Sequence, residues 1–247
     1  MTTPPRVLVV TPTYNERDNL PVLVRQVLAV GDHVSILVVD DASPDGTGRI
    51  ADDLAAEFPG RMQVLHRTGK RGLGRSYVDA LSIAVTMDVD LVCQMDADFS
   101  HDPKYLPDLV AAIASGPCDL VIGSRYLYGV SVVNWPLSRL ILSTFANRYV
   151  RAITALPARD CTSGYRCWRR EALARLPLRA FVSDGYAFLV EMLYQAMGTG
   201  CRIGEVPIIY VERREGQSKM SRGVILESVF VPWRLVLRHP SWRGRRG

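Results

Sequence analysis

The sequence predicts an α/β protein built on a mostly parallel central sheet with helices on both faces. Two observations carry that prediction. Runs that are apolar at almost every position alternate with segments of helical spacing through residues 6–125, and such runs are the strands of a sheet buried on both faces. Turn-forming and acidic residues follow these runs repeatedly: PTYNE, DDASPDG, DADFSH and GSRY each begin where a run ends. Ligands of open parallel sheets bind outside the carboxyl ends of the strands, so these four segments are expected along one edge.

The elements follow in order. RVLVVTP (6–12) is a β-branched strand, and DNLPVLVRQVLAV (18–30) has helical periodicity, with Asn15 or Asp18 as candidate caps. HVSILVVD (33–40) is a strand, and DGTGRIADDLAAEF (45–58) a helix that Asp45 could cap. MQVLHR (62–67) and DLVCQMD (90–96) are strands on either side of the helix GRSYVDALSIAVTM (74–87). KYLPDLVAAIAS (104–115) is a helix and CDLVIGSR (118–125) a strand. The second half begins with a long amphipathic helix over 131–156, carrying Arg139, Arg148 and Arg151 among leucines and isoleucines. DCTSGYR (160–166) is a loop, DGYAFLVEMLYQAMG (184–198) a helix, and 202–219 a strand running into a basic loop. The tail 222–247 is amphipathic, with Trp233, Trp242 and several arginines. No repeat or low-complexity linker appears, so residues 1–220 read as one domain and 221–247 as an amphipathic C-terminal appendage.

Composition narrows the class. The 247 residues suffice for one sizeable α/β domain, and 48% hydrophobic with 22% charged residues excludes a disordered chain. The net charge is +5, yet only three of the thirty basic residues are lysines (Lys70, Lys104, Lys219). Arginine suits phosphate because its planar fork donates two hydrogen bonds at once, although a GC-rich genome produces the same bias. The arginines are dispersed and no nucleic-acid module is present, which argues against a nucleic-acid partner. Five cysteines without CxxC spacing read as reduced thiols. The N-terminus shows no signal-peptide pattern, and no apolar run reaches the length of about 18 residues that a spanning helix needs. The expected location is therefore cytoplasmic.

The strand-end motifs carry the chemistry. Asp96 and Asp98 in CQMDADFSH stand one residue apart at the mouth of a strand, where like charges resist burial unless something positive answers them. A hard divalent cation shared by two carboxylates, with water and diphosphate oxygens completing its shell, would do so. Tyr14 offers a ring for stacking, and Glu16 an acceptor for a ribose or base edge. HRTGKRGLGRS (66–76) is basic and glycine-rich but fits neither the P-loop nor the dinucleotide fingerprint.

Taken together, PTYNE, DDASPDGT, DADFSH, GSRY, DCTSGYR, GYAFLVEM and RREGQSK, in that order, resemble the family-2 glycosyltransferases with a GT-A fold. Within them the resemblance is to the dolichol- or polyprenol-phosphate mannose synthases, over roughly residues 6–220. The resemblance implies that Pro12, Tyr14, Glu16, Asp41 and Ala97 hold the nucleotide sugar, GDP-mannose. It implies that Asp96 and Asp98 bind nucleotide and metal, Mg²⁺ or Mn²⁺. It gives Arg125, Arg166, Arg213 and Lys219 as acceptor-phosphate contacts, with Arg125 and Arg213 also counted among the catalytic residues beside the two aspartates. The implied reaction is inverting transfer to a polyprenyl phosphate on the cytoplasmic face of a membrane, reached peripherally through the helix 131–156 and the tail. Some relatives carry C-terminal transmembrane helices or rely on a membrane-anchoring partner protein, and this sequence lacks the former. A UDP-sugar donor (glucose or GlcNAc) or another acceptor is the neighbouring reading. His101, next to the acidic pair, is expected to play a supporting structural role.

Overall fold

The computed structural model describes residues 3–69, 72–183, 185–211 and 222–243. Its first half alternates as expected: β1 (Val7–Thr13), α1 (Leu20–Leu28), β2 (Val34–Asp40), α2 (Thr47–Glu57), β3 (Met62–His66), α3 (Leu73–Ala84), β4 (Leu91–Gln94), α4 (Leu106–Ser115) and β5 (Leu120–Ser124). The second half adds β6 (Val132–Val133), α5 (Leu137–Thr154), β7 (Arg166–Arg169), α6 (Arg170–Ala174), α7 (Gly185–Gly198), β8 (Ile203–Pro207), β9 (Tyr210–Val211) and α8 (Arg222–Arg238). The central sheet has the order β3-β2-β1-β4-β7-β5-β8. Every neighbouring pair is parallel except the two that β7 makes with β4 and β5.

That one reversed strand matters for the site. RCWR is short and carries an arginine at each end, so its sequence shows no strand pattern. Because β7 runs against its neighbours, its beginning lies beside the carboxyl ends of β4 and β5. The segment DCTSGYR, which precedes β7, thereby joins the edge where the other motifs end.

The helix expected over 131–156 is interrupted. Asn134 turns with φ of 63° and Pro136 caps the start of α5, leaving Val132 and Val133 to pair in parallel with β9 as a separate two-stranded ribbon. Proline lacks the N–H a helix interior needs and disfavours helical backbone in the residue before it. The expected caps also differ. The cap positions fall on Asn19 and Gly46, and Asp45 instead accepts from the Thr47 amide and hydroxyl one residue further on (3.0 and 2.6 Å).

Both sheet faces are buried. Along β1, Leu8 and Val10 enter a cluster with Trp168, Phe188 and Leu193, while Val7 and Val9 face Leu20, Leu23 and Leu106. This double burial is why β1 reads as unbroken apolar sequence. Three arginines cap the sheet-and-helix framework from within. Arg61 donates to the carbonyls of Leu28, Gly31 and Val34, Arg169 to those of Ile113, Gly116 and Cys118, and Arg170 to those of Val85 and Val89. Cations suit the negative ends of α1, α4 and α3 and satisfy carbonyls left without intrahelical partners.

At the other end of the chain, α8 lies against α5 and α7. Val231 and Leu235 are buried, the Tyr149 hydroxyl donates to the Val229 carbonyl (2.8 Å) and accepts from Trp233 Nε1 (2.9 Å), and the Tyr194 hydroxyl donates to the His239 carbonyl (2.9 Å). Among the described residues no helix is long and apolar enough to cross a membrane. Leu235 is 2% exposed and Leu237 is 78% exposed. Leu235→Ala is therefore expected to lower unfolding free energy by about 2–4 kcal/mol, and Leu237→Ala by less than about 0.5 kcal/mol, in urea titrations of the full chain.

Candidate active site

The turn after β4 presents the acidic pair. Asp96 is partly exposed and accepts a hydrogen bond from the Tyr77 hydroxyl of α3 (3.2 Å). Asp98 is 6% exposed, and its Oδ1 accepts from the Ser100 amide (3.0 Å). Burial, with the nearby Asp96 charge, lifts Tyr77 well above the usual phenol range, so it remains a protonated donor. His101 is buried, and its Nδ1 accepts from the Asp96 amide (3.1 Å). Burial also lowers its pKa, which keeps the imidazole neutral. Although the same Nδ1 lies 3.8 Å from Asp96 Oδ2, the two do not form an ion pair, because a nitrogen accepting an amide proton carries none of its own.

The donor set fits a hard divalent cation. Two carboxylates at a strand mouth leave most of the shell to water and phosphate oxygens, as Mg²⁺ prefers. The Ser100 hydroxyl is buried beside Asp98 and has no hydrogen-bond partner among the described residues, so one further oxygen is available there. No group of three or more His, Cys, Asp or Glu side chains gathers among the described residues.

The turns after β1 and β2 lie side by side. Thr13 pairs with Asp40 in the β1–β2 register, and the Asp41 amide donates to the Thr13 carbonyl (3.1 Å). Pro12 is held within β1, Tyr14 is half-buried, and Glu16 accepts from Asn19 Nδ2 (2.8 Å) while its amide donates to Thr47 Oγ1 (2.9 Å). The two consecutive carboxylates have separate duties. Asp40 shapes the turn by accepting from the Ser43 hydroxyl (2.6 Å) and amide (3.2 Å). Asp41 is paired with the buried Arg67 and lies 2.8–2.9 Å from the Ser76 hydroxyl. Arg67 also bonds Asp79 (2.9 Å), so this arginine of the basic glycine-rich segment points inward to a carboxylate. One non-glycine residue in each of these three turns takes left-handed backbone: Asn15 (φ 62°), Ala42 (φ 54°) and Phe99 (φ 60°). For Ala and Phe that conformation costs roughly 1–2 kcal/mol, and such strain concentrates where side chains must be aimed at a ligand.

Arg125, at the end of β5, departs from the expected free phosphate-binding cation. Its guanidinium makes a two-pronged bond to Asp160 (both 2.7 Å), its amide donates to the same carboxylate (3.0 Å), and Nη2 reaches Thr162 Oγ1 (2.8 Å). Tyr126, Trp135 and Tyr210 surround it at 5.4, 5.6 and 5.4 Å. Burial disfavours the Arg125 charge, but Asp160 outweighs burial and raises its pKa above the ordinary value. Asp160, wholly buried, is likewise held below the usual carboxylate range because Arg125 overcomes the cost of burial. The loop carrying Asp160 is anchored by Asn147 of α5, whose Oδ1 accepts from the Cys161 amide (2.8 Å). Arg139 also lies over the Trp135 ring, 4.4 Å from its centroid. The sequence placed Arg139 on an amphipathic helix without linking it to Arg125, since only the turn at Asn134–Pro136 brings the two to one indole.

Arg166 lies deeper than Arg139. It is wholly buried at the start of β7, donating to the carbonyls of Ser163 (2.9 Å) and Cys161 (3.1 Å), and burial lowers its pKa to about 10. It supports from beneath the loop that precedes β7. Ala97 is buried between the two aspartates. Arg213 and Lys219 lie outside the described residues, and β9 is the last described element before them.

Replacing Asp160 by Asn strands the Arg125 cation, and a loss of about 3–5 kcal/mol is expected at neutral pH. The folded pKa of Asp160 lies below its unfolded value, so its contribution is complete above about pH 4–5 and fades as pH falls through the folded value. Urea titrations should therefore show the gap between wild type and Asp160→Asn narrowing on acidification.

Residues 8–176 match glycosyl transferase family 2. The chain is 46% identical over 225 residues to the polyprenol monophosphomannose synthase of Mycolicibacterium smegmatis, covering 91% of this chain and 84% of that protein. It is 44% identical over 244 residues to the undecaprenyl-phosphate mannosyltransferase of Micrococcus luteus, covering 98% of this chain and 99% of that protein. Among solved structures, glucosyl-3-phosphoglycerate synthase from Mycobacterium tuberculosis, in complex with Mn²⁺, uridine diphosphate and phosphoglyceric acid, superposes with a TM-score of 0.69. That likeness spans 95% of this chain and 78% of the other at 20% identity, and it establishes the GT-A-like fold alone. The chain belongs to glycosyl transferase family 2 and is a glycosyltransferase.

Proposed function

We propose that the enzyme transfers mannose from GDP-mannose to a polyprenyl monophosphate at a membrane surface, aided by Mg²⁺ or Mn²⁺. The observation that carries this reading is a juxtaposition on one sheet edge. The carboxylates of Asp96 and Asp98 stand there together with Arg125 and Arg139 on the faces of Trp135, beside a helix whose outer side is apolar. The names of the two mannosyl-transferring relatives support the sugar and the lipid class.

In this reading Pro12, Tyr14, Glu16, Asp41 and Ala97 bind and orient the nucleotide, with Asp41 held in place by Arg67. Asp96 and Asp98 would hold the cation against the donor diphosphate. When bound, it neutralises the charge that builds on the departing nucleoside diphosphate. Arg139, with Arg125 fixed behind it and Arg213 and Lys219 from the segment after β9, positions the acceptor phosphate. An acceptor phosphate oxygen forms the new bond to the anomeric carbon while the bond from that carbon to the diphosphate oxygen breaks, its electron pair leaving with GDP and the configuration inverting. A monoester phosphate has its second pKa near 6, so at neutral pH it is already an anion and needs placement more than deprotonation. A site rich in arginine, whose one nearby histidine is buried and neutral, suits that chemistry.

The apolar surface supplies access to the lipid. On α5, Leu137, Ile141 and Phe145 recur every fourth residue and are 60–69% exposed, and on α8 Phe230, Trp233 and Leu237 are 52–78% exposed. Phe145 stacks on Tyr149 (6.2 Å), which bonds Trp233, so the two stripes adjoin. Arg148, Arg151 and Arg238 are exposed on the same helices. Apolar residues with arginines beside them are the signature of a helix lying in a lipid interface. This deepens the role foreseen for residues 221–247, which here acts jointly with α5.

Two measurements test the reading. Labelled sugar should pass from GDP-mannose, and not from UDP-glucose or UDP-GlcNAc, into an organic-extractable product with polyprenyl phosphate. EDTA should abolish the transfer and Asp98→Asn lower it by about 10³-fold, the equivalent of about 4 kcal/mol; transfer from a UDP-sugar alone would overturn the donor assignment. In co-sedimentation with anionic vesicles, the double change Ile141→Glu and Leu237→Glu should weaken binding by at least about tenfold, since each side chain withdraws roughly 1.5–3 kcal/mol of apolar burial. Unchanged binding would remove the membrane-surface role of these helices.

A further inference from the structure

His101 sits where three segments of the site meet. Its Nδ1 accepts the Asp96 amide (3.1 Å) and so holds the acidic turn. Its ring stacks on Tyr165 at 5.0 Å, within the loop that precedes β7. Its ring also meets Tyr210 of β9 edge-on at 6.0 Å, and Tyr210 in turn lies 5.4 Å from the Arg125 guanidinium. The backbone around it is made to let it in. A Cβ on Gly164 would lie 3.3 Å from His101 Cε1 and in ordinary contact, 3.8 Å, with both Asp96 carboxylate oxygens, so the loop backbone passes close against the imidazole. Two further bonds brace the same junction: the Tyr165 hydroxyl donates to the Asp102 carbonyl (3.3 Å), and the Ile209 amide donates to the Tyr105 hydroxyl (3.1 Å).

We propose that His101 is a positioning residue that couples the donor half of the site to the acceptor half, through its ring nitrogen to the Asp96 turn and through its ring to Tyr210 and Arg125. The proposal rests on the functional reading above. No other side chain combines the two tasks: an acceptor atom next to the backbone for one amide, and a flat ring for two aromatic neighbours. Asparagine can keep the first and lose the second. Phenylalanine keeps the ring and loses the acceptor. The two variants therefore separate the contacts, which loss of fold would not do.

The test uses the full-length protein with three readouts: thermal melting, calorimetric binding of GDP with Mn²⁺, and the KM for farnesyl phosphate. His101→Phe should weaken Mn²⁺-dependent GDP binding by about tenfold, the equivalent of about 1.4 kcal/mol, because the Asp96 amide loses its acceptor. His101→Asn should bind GDP as the wild type does and instead raise the KM for farnesyl phosphate several-fold. Equal losses in both readouts for both variants, tracking their melting temperatures, would overturn the proposal, as would wild-type GDP affinity in His101→Phe. The nucleotide arm needs no acceptor. Absence of lipid transfer by the wild type would thus count against the proposed reaction, while unequal GDP binding by the variants would still score the role of His101.

Discussion

The buried pair of Arg125 and Asp160 is the interaction on which the β5–β7 end of the candidate site depends. It ties the carboxyl end of β5 to the loop that leads into the reversed strand β7, across 35 residues of chain. A cation and an anion taken out of water repay their desolvation only with near-ideal geometry and additional hydrogen bonds. Here the carboxylate accepts from both prongs of the guanidinium and from the Arg125 amide, while three aromatic rings enclose the cation. With that pair formed, Trp135 and Tyr210 have a fixed surface to rest on, and the β6–β9 ribbon has a place in the fold.

Charge compensation follows one logic around the edge. Asp41 is answered by Arg67 and Asp160 by Arg125, each from within the chain. Asp96 accepts from a tyrosine hydroxyl and Asp98 from a backbone amide, contacts that fix the direction of one oxygen of each. The carboxylates that are neutralised internally become rigid parts of the framework.

The arginine-rich composition divides in the same way. Arg61, Arg169 and Arg170 close the ends of helices by donating to carbonyls, and Arg166 underpins a loop in the core. Composition alone suggests phosphate for all of them, but the guanidinium fork suits a turn of carbonyl oxygens as well as it suits a phosphate. Strain is placed in parallel with charge. The left-handed residues Asn15, Ala42 and Phe99 occur in the three turns that follow β1, β2 and β4.

By itself the sequence determined the alternation of strands and helices, the doubly buried sheet, and the gathering of PTYNE, DDASPDG, DADFSH and GSRY on one edge. Those features follow from periodicity and turn chemistry among near neighbours, which a linear sequence displays. It also singled out Asp96 and Asp98, because two acids at a strand mouth conflict with burial whatever the surrounding fold. Only the tertiary structure decided the reversal of β7, the break at Asn134–Pro136, the inward commitment of Arg125 and Arg166, and the place of His101 between Asp96 and Tyr210. Several of those depend on partners far apart in the chain: Arg125 bonds Asp160 across 35 residues, and His101 meets Tyr210 more than 100 residues away. The partner of a charged side chain is chosen by which strands the sheet sets side by side, and no local pattern records that choice.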